Sequence, residues 1–255
     1  MDEIVVVDDG STDGSGDLIR EHYGEKVRLV RQENRGAGGA FNRGIRETTG
    51  DLIAICAADD KWMPERVEKQ AAFMENRPHC MLSFTAHVHY DEETGETRVC
   101  NRSIRKRGFA GKVLLRGRNL PAGDGVMVRR EAFEAVGLFD ESLRRCQDTD
   151  MWLRIIMQYG FEHIPETLVW VRRGPHQTQP MDARFAGSDR YFAKHRHTFG
   201  RGLKGQFIWR HGYGAVLRQH VAYYLKAGRP DDARARLKTA LRVWPFGQPL
   251  RTLKY

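Results

Sequence analysis

The sequence predicts an α/β domain followed by a helical tail. Three observations carry that prediction. Short apolar runs, Ile4-Val5-Val6-Val7, Val27-Arg28-Leu29-Val30 and Leu52–Cys56, alternate with stretches of helical spacing. The first and third runs stop at loop chemistry, Asp8-Asp9-Gly10-Ser11-Thr12-Asp13-Gly14 and Ala57-Ala58-Asp59-Asp60. Past Tyr191 the apolar residues recur with a helical period instead. Continuous apolar strands are usually buried on both faces, and strand–helix alternation is the pattern of an open α/β sheet. The expected division is 1–190 for the α/β domain and 191–255 for the tail.

Taken in order, Ile4–Val7 is the first strand, and Leu18-Ile19 lies in a helix that Ser11, Thr12 or Asp13 could cap. Val27–Val30 is the next strand. Asn34-Arg35-Gly36-Ala37-Gly38-Gly39 leads into a helix through Thr48. Leu52–Cys56 is a buried-type strand, and Pro64 fits the first turn of a helix ending near Asn76. Met81–Tyr90 reads as a strand with its turn at Asp91–Glu96, and the stretch up to Asp124 as irregular. Gly125–Val128 is a strand, Arg130–Val136 a short helix, Asp148–Tyr159 a helix and Thr167–Val171 the last strand. In the tail, Tyr213, Val216, Leu217, Val221, Tyr224 and Leu225 form one helical stripe. Ala233, Leu237, Ala240, Leu241 and Trp244 form another. Gly228-Arg229-Pro230-Asp231 breaks between them, which predicts a helical hairpin with Asp231 as a cap.

Composition narrows the function classes. Hydrophobic residues make up 40% of 255, enough for a core, so general disorder is excluded. The longest apolar run, Leu52–Ala58, falls far short of the roughly 20 residues that span a bilayer. Asp2 and Glu3 carry the wrong charge for a secretory signal. Cys56, Cys80, Cys100 and Cys146 show no CxxC spacing, so the expectation is reduced, buried thiols in the cytoplasm. The net charge of +9 is uneven: Tyr191–Tyr255 holds 14 Lys and Arg against Asp231 and Asp232. Such a tail faces anionic lipid, a phosphorylated acceptor or nucleic acid, or is a solvated helical face. Arg234, Arg236, Lys238 and Arg242 mark the polar side of the second tail helix. The favoured reading is a packing hairpin; the sharper one is an amphipathic element on the inner membrane face. Tail aromatics such as Tyr191, Phe192, Phe207 and Tyr224 fall mostly at core-like positions, and no RNA-binding motif is present. Nucleic acid is therefore not an expected partner.

Three acidic clusters sit where strands end or helices begin: Asp8-Asp9, Asp59-Asp60, and Asp148 with Asp150. Open α/β sheets bind ligands outside the carboxyl ends of their strands. Carboxylates gathered there repel one another unless a cation or a donor-rich ligand joins them. A hard divalent ion resolves the conflict and attracts a diphosphate. Any single cluster is equally a helix cap or turn former; three together favour a ligand site.

Val7-Asp8-Asp9-Gly10-Ser11-Thr12-Asp13-Gly14-Ser15 resembles the nucleotide-binding loop of family 2 glycosyltransferases with the GT-A fold. Asn34-Arg35-Gly36-Ala37-Gly38-Gly39-Ala40-Phe41-Asn42-Arg43-Gly44 is similar to their Asn-x-Gly segment, and Gly50–Asp60 to the strand ending in a DxD motif. Arg129-Arg130-Glu131, Gly137–Glu141 and Gln147-Asp148-Thr149-Asp150-Met151-Trp152-Leu153-Arg154 resemble the acceptor-side segment. The resemblance implies a mixed central sheet and inverting transfer from a nucleotide-diphosphate sugar to a hydroxyl of a glycan or lipid-linked acceptor, in surface polysaccharide or glycolipid assembly. Asp8, Asp9, Gly10, Ser11, Asn34 and Gly36 would bind the nucleotide. Asp59, with His176, would hold Mg²⁺ or Mn²⁺; Asp148 would be the general base; Asp60, Gln147 and Trp152 would meet the sugars.

The departures from the pattern matter as much. Met1 falls just before what would be the second strand, which implies a domain lacking its first βα unit. Ala57 stands at the first DxD aspartate, Gln147 at the usual glutamate, and Gly174 where a metal-binding His often lies, with His176 two places later. These departures keep a second class open, a degenerate relative that binds nucleotide sugar or partners without turnover.

Overall fold

The first strand, β1 (Val5–Asp8), pairs in parallel with β2 (Arg28–Arg31) as a two-stranded sheet, Val6 opposite Leu29. The crossover is α1 (Ser15–Tyr23) and a 3-10 turn at Gly24–Lys26. Parallel neighbours need such a crossover, which the polar, glycine-bearing loop after β1 begins. This computed structural model describes residues 3–100, 125–173, 180–198 and 200–246. Among them the chain forms two compact units: 3–100 with 125–173, and 180–198 with 200–246.

After β2 come α2 (Gly36–Glu47), β3 (Leu52–Ala54), β4 (Lys61–Trp62), α3 (Arg66–Glu75), β5 (Leu82–Asp91), β6 (Thr97–Cys100), β7 (Val126–Arg129), α4 (Arg130–Val136), α5 (Gln147–Tyr159) and β8 (Glu162–Arg173). The second sheet is mixed, in the order β3-β7-β5-β8-β4, with β6 also on β5. Its centre, β5, runs antiparallel to β7 and parallel to β8. Leu82, Phe84, Ala86 and Val88 are all buried, as a central strand requires.

Strand β8 begins earlier than the expected Thr167. Pro165 and Glu166 argue against a strand, yet the register steps from Thr85↔Ile164 to Ala86↔Thr167, so both lie in a bulge. A proline without an N–H is tolerated there. Arg130 fastens the start of α4 to the end of α2 and the loop before β3, donating to the carbonyls of Ile45, Thr48 and Gly50.

The second unit holds α6 (Met181–Lys194), α7 (Leu203–Lys226) and α8 (Pro230–Val243). The hairpin forms as expected, with α6 added to it; Gly187 and Ser188 mask α6 in the sequence. Pro230, not Asp231, sits at the helix start, where its missing N–H costs nothing. Phe185, Val221, Tyr224 and Ala233 make the core. Around it Asp182 accepts from Tyr224 Oη at 2.5 Å and Arg229 at 2.9 Å. Asp189 accepts from Tyr213 Oη at 2.9 Å and Arg236 at 2.5 Å.

The faces of α8 differ from the expected ones. Ala233 and Ala240 are buried, Arg236 turns inward to Asp189, and Leu237 (39%) and Leu241 (52%) are exposed. Two alanines set two turns apart let the backbones approach closely, so the larger leucines are left outside the seam. Cys80 is buried and Cys146 half-buried, but Cys56 is exposed, against the expectation of buried thiols. No helix among the described residues is long and apolar enough to cross a membrane.

Candidate functional site

The strand β1 ends on Asp8, and the chain turns at once. Asp8 Oδ1 accepts the Ser11 N–H at 2.8 Å, and Oδ2 accepts Arg31 Nε at 3.0 Å. The Ser11 amide, then its hydroxyl and Arg31, hold the Asp8 carboxyl below its ordinary range. Asp8 is buried and so clamps the loop from within. Asp9 faces the other way. Its Oδ1 accepts from Arg35 N at 2.8 Å and Gln32 Nε2 at 2.7 Å, and its Oδ2 from Gly36 N at 2.7 Å. A carboxylate has about four acceptor positions. Asp9 therefore caps α2 and keeps lone-pair capacity on Oδ2 for a ligand N–H or O–H.

Gly36 has φ +76, a left-handed conformation that favours glycine, and the Arg144 guanidinium lies 2.5 Å from where a Cβ would be. Arg144 stands four positions before Asp148 and thereby brings that loop to the start of α2. Asn42 strengthens the link. Its Nδ2 donates to Phe139 O at 3.0 Å and Glu141 Oε1 at 2.8 Å, and its Oδ1 accepts Phe139 N at 2.8 Å. Glu141 also accepts from Arg35 at 2.6 Å; Asn42 first and Arg35 second keep its carboxyl below the ordinary range. Phe139 then packs on Phe41 at 5.2 Å and edge-on to Trp152 at 5.7 Å. Asp8, Asp9, Gly10, Ser11, Gly36 and the loop before Asp148 are thus joined by hydrogen bonds, packing and close approach. Asn34 borders Gly10, its N 3.1 Å from where a Cβ would be.

Asp148 lies in the first turn of α5, half-buried, its Oδ1 accepting from Thr149 N at 2.7 Å. The residue before Gln147 is Cys146, the non-glycine residue with left-handed backbone among those described, at φ 61. Such conformations cluster at functional turns because packing must enforce them. Gln147 is half-buried beside Asp148. Asp150 is buried against Arg154 at 3.0 Å, and Arg154 also grips the carbonyls of Val136, Gly137 and Leu138. Trp152 is buried too, which makes it a core support of α5 rather than an exposed sugar platform.

Asp59 is exposed in the loop after β3. Asp60 is tied instead to β8, its Oδ1 accepting Arg172 N at 2.9 Å. Among the described residues no three His, Cys, Asp or Glu converge on one point. His176 and Gly174 lie outside the described residues. This donor set does not fit an all-protein metal cage. One exposed carboxylate does fit a hard cation that draws its other oxygen ligands from a diphosphate and water. Arg31, Gln32, Asn42, Glu141 and Arg144 are not site residues by the sequence reading; Asn42 and Glu141 carry a signal, within the Asn-Arg-Gly and Gly137–Glu141 segments.

The architecture has known counterparts. TarS from S. aureus, crystallised in complex with UDP-GlcNAc, aligns over 98% of this chain and 84% of that chain, with TM-score 0.61 and 14% identity. Mannosyltransferase PcManGT from Pyrobaculum calidifontis, in complex with GDP-Man and Mn2+, aligns over 96% and 79%, with TM-score 0.56 and 18% identity. The chain thus has the GT-A fold of nucleotide-sugar transferases, with a helical C-terminal part. Residues 1–137 match the family described as "Glycosyl transferase family 2", and the chain belongs to that family. An "Uncharacterized glycosyltransferase" of Rickettsia felis is 31% identical over 160 residues, 60% of this chain and 26% of that protein. The chain therefore spans about a quarter of the length of that relative.

Proposed function

We propose that this chain moves a sugar, with inversion, from a nucleoside-diphosphate donor to a hydroxyl of a glycan or lipid-linked acceptor. The observation that carries the reading is the pair of ties between α2 and the chain ahead of Asp148: Asn42 of α2 is hydrogen-bonded to Phe139 and Glu141, and Arg144 lies close against Gly36, whose N–H is held by Asp9. It couples a place for a nucleotide to a carboxylate at a helix start.

Asp9, with Gly10, Ser11 and Asn34 around it, receives the N–H and O–H donors of the base and ribose. A divalent cation bound with the diphosphate supplies neutralisation of charge on the leaving group. Asp59 is the carboxylate that would hold it. Asp148 accepts the acceptor hydroxyl's proton as the oxygen bonds to the anomeric carbon. The bond from that carbon to the diphosphate breaks, its electron pair leaves with the nucleotide, and the configuration inverts. Gln147 orients the incoming hydroxyl as a neutral hydrogen-bonding group. A lipid-linked acceptor would place the basic helical unit against the cytoplasmic membrane face.

Titration calorimetry with UDP and GDP, with and without Mn²⁺, tests the binding half, and a donor-hydrolysis assay tests the chemistry. Metal-dependent binding with turnover is expected. Absence of binding by either nucleotide overturns the proposal.

A further inference from the structure

The helical unit carries an apolar surface in a place where a solvated hairpin has no use for one. Leu203 (87%) and Phe246 (81%) are the two most exposed large apolar side chains among the described residues. Both lie away from the Gly228 turn: Leu203 opens α7, and Phe246 follows α8, which is shorter and ends beside Gly214, with Trp244 reaching back to Phe207. The end is built, not frayed. Trp244 packs edge-on to Phe207 at 5.0 Å, against His211 at 5.4 Å, and carries Phe246 at 5.7 Å. A side chain at Gly214 would meet Trp244 Cβ at 2.7 Å, so glycine is needed to seat the indole. Phe207 stands one turn beyond Leu203 on the same face and is half-exposed.

The charge around this cluster has one sign. Arg201, Lys204, Arg210 and Arg242 are exposed there, and α7 contains no Asp or Glu over its 24 residues. On α8 the exposed leucines, Leu237 and Leu241, share the outward face with Arg234, Lys238 and Arg242. Apolar and basic side chains mixed on one surface fit a partner that is both anionic and able to take hydrocarbon. A lipid headgroup layer meets both demands, whereas nucleic acid offers no place for aliphatic leucines.

We propose that the open end of the α7–α8 hairpin is an interfacial anchor. In it Leu203, Phe207 and Phe246 enter the headgroup–acyl boundary of an anionic bilayer, and Lys204, Arg210 and Arg242 face its phosphates. This rests on the membrane contact in the proposed function and is independent of the transfer chemistry. Neither half suffices alone, since a few basic residues or a few apolar ones bind only weakly and reversibly.

The full chain is floated with extruded vesicles of phosphatidylcholine, alone or with about 30% phosphatidylglycerol, at low and high salt. Binding is expected with the anionic vesicles and not the neutral ones. The double variant Leu203→Ser, Phe246→Ser keeps every charge and is expected to bind about tenfold more weakly. Lys204→Glu with Arg210→Glu is expected to abolish the preference for anionic lipid. A melting curve matching the parent shows that each variant folds. No flotation of the parent with anionic vesicles at low salt overturns the anchor, as does flotation unchanged in the serine variant. A parent that dimerises where the serine variant stays monomeric also overturns it, since a second copy then covers the patch. Nucleotide titration runs alongside: intact UDP or GDP binding with failed flotation sinks the anchor alone, and the reverse sinks the transferase reading alone.

Discussion

In the α/β unit several loop aspartates each accept from at least one backbone N–H, while Asp150 and Glu141 are held by side chains. Asp8 accepts from Ser11 N, Asp9 from Arg35 N and Gly36 N, Asp13 from Ser15 N, Asp60 from Arg172 N and Asp140 from Ser142 N. In the helical unit Asp182 and Asp189 are held by side chains, Tyr224 with Arg229 and Tyr213 with Arg236. The two schemes do different things. Backbone donors fix the shape of the loop that carries the carboxylate. Side-chain donors stitch one helix to another and close the carboxylates off. The first scheme shapes loops, and the second joins helices.

The strongest attempt to break this contrast is Asp148→Asn. It should lower transfer by about 10³-fold while donor affinity, read by calorimetry, stays at the parental level. Unchanged turnover would mean that the backbone-held carboxylates do no chemistry. Next comes acid. Burial first, and Arg236 second, push His220 down to about 4 from an ordinary 6.5. The folded helical unit therefore binds fewer protons than the unfolded chain between those values. Its stability is complete above pH 6.5 and declines by about 3 kcal/mol as pH falls toward 4. Hydrogen exchange in α7 and α8 reads that loss, and His220→Phe, stacked on Phe185 in the same way, should remove it.

Asn42→Ala should cost about 2 kcal/mol in chemical denaturation, because Phe139 loses partners for both its N–H and its carbonyl. A smaller loss would mean that water replaces the amide. Smallest of all, Asp59→Ala should weaken metal-dependent nucleotide binding about tenfold without altering metal-free binding. Metal titrations that match the parent would take Asp59 out of the site.

The parts legible from sequence share a physical trait: the local pattern and the tertiary outcome agree. Val5-Val6-Val7 followed by Asp8-Asp9-Gly10 reads as a strand that stops, and β1 ends at Asp8 as that pattern predicts. Residues 162–166 were illegible because Pro165 and Glu166 obey a bulge that exists only once β5 is alongside. On α8 a single helical stripe was assigned to Leu237, Leu241 and the alanines together, but close approach chose the alanines and turned Arg236 inward. Asp9 stands out in sequence as a loop carboxylate, but its service as the cap of α2 does not, since Gln32 and Arg35 reach it only through the fold. Trp152 is assigned to the sugars through the acceptor-side motif alone; its burial beside Phe139 is set by tertiary packing.

The amide of Asn42 sits where two stretches of chain meet. It grips the strip of chain at Phe139 and Glu141, while Glu141 also holds Arg35 at the mouth of the cradle. Whatever presses on Arg35 is therefore felt along the path to α5. Occupancy of the first substrate's seat should ready the second substrate's seat, giving a compulsory order of arrival. Product-inhibition kinetics would display that order as competitive inhibition by the free nucleotide against the donor and noncompetitive inhibition against the acceptor, and a random pattern would show the two seats to be uncoupled.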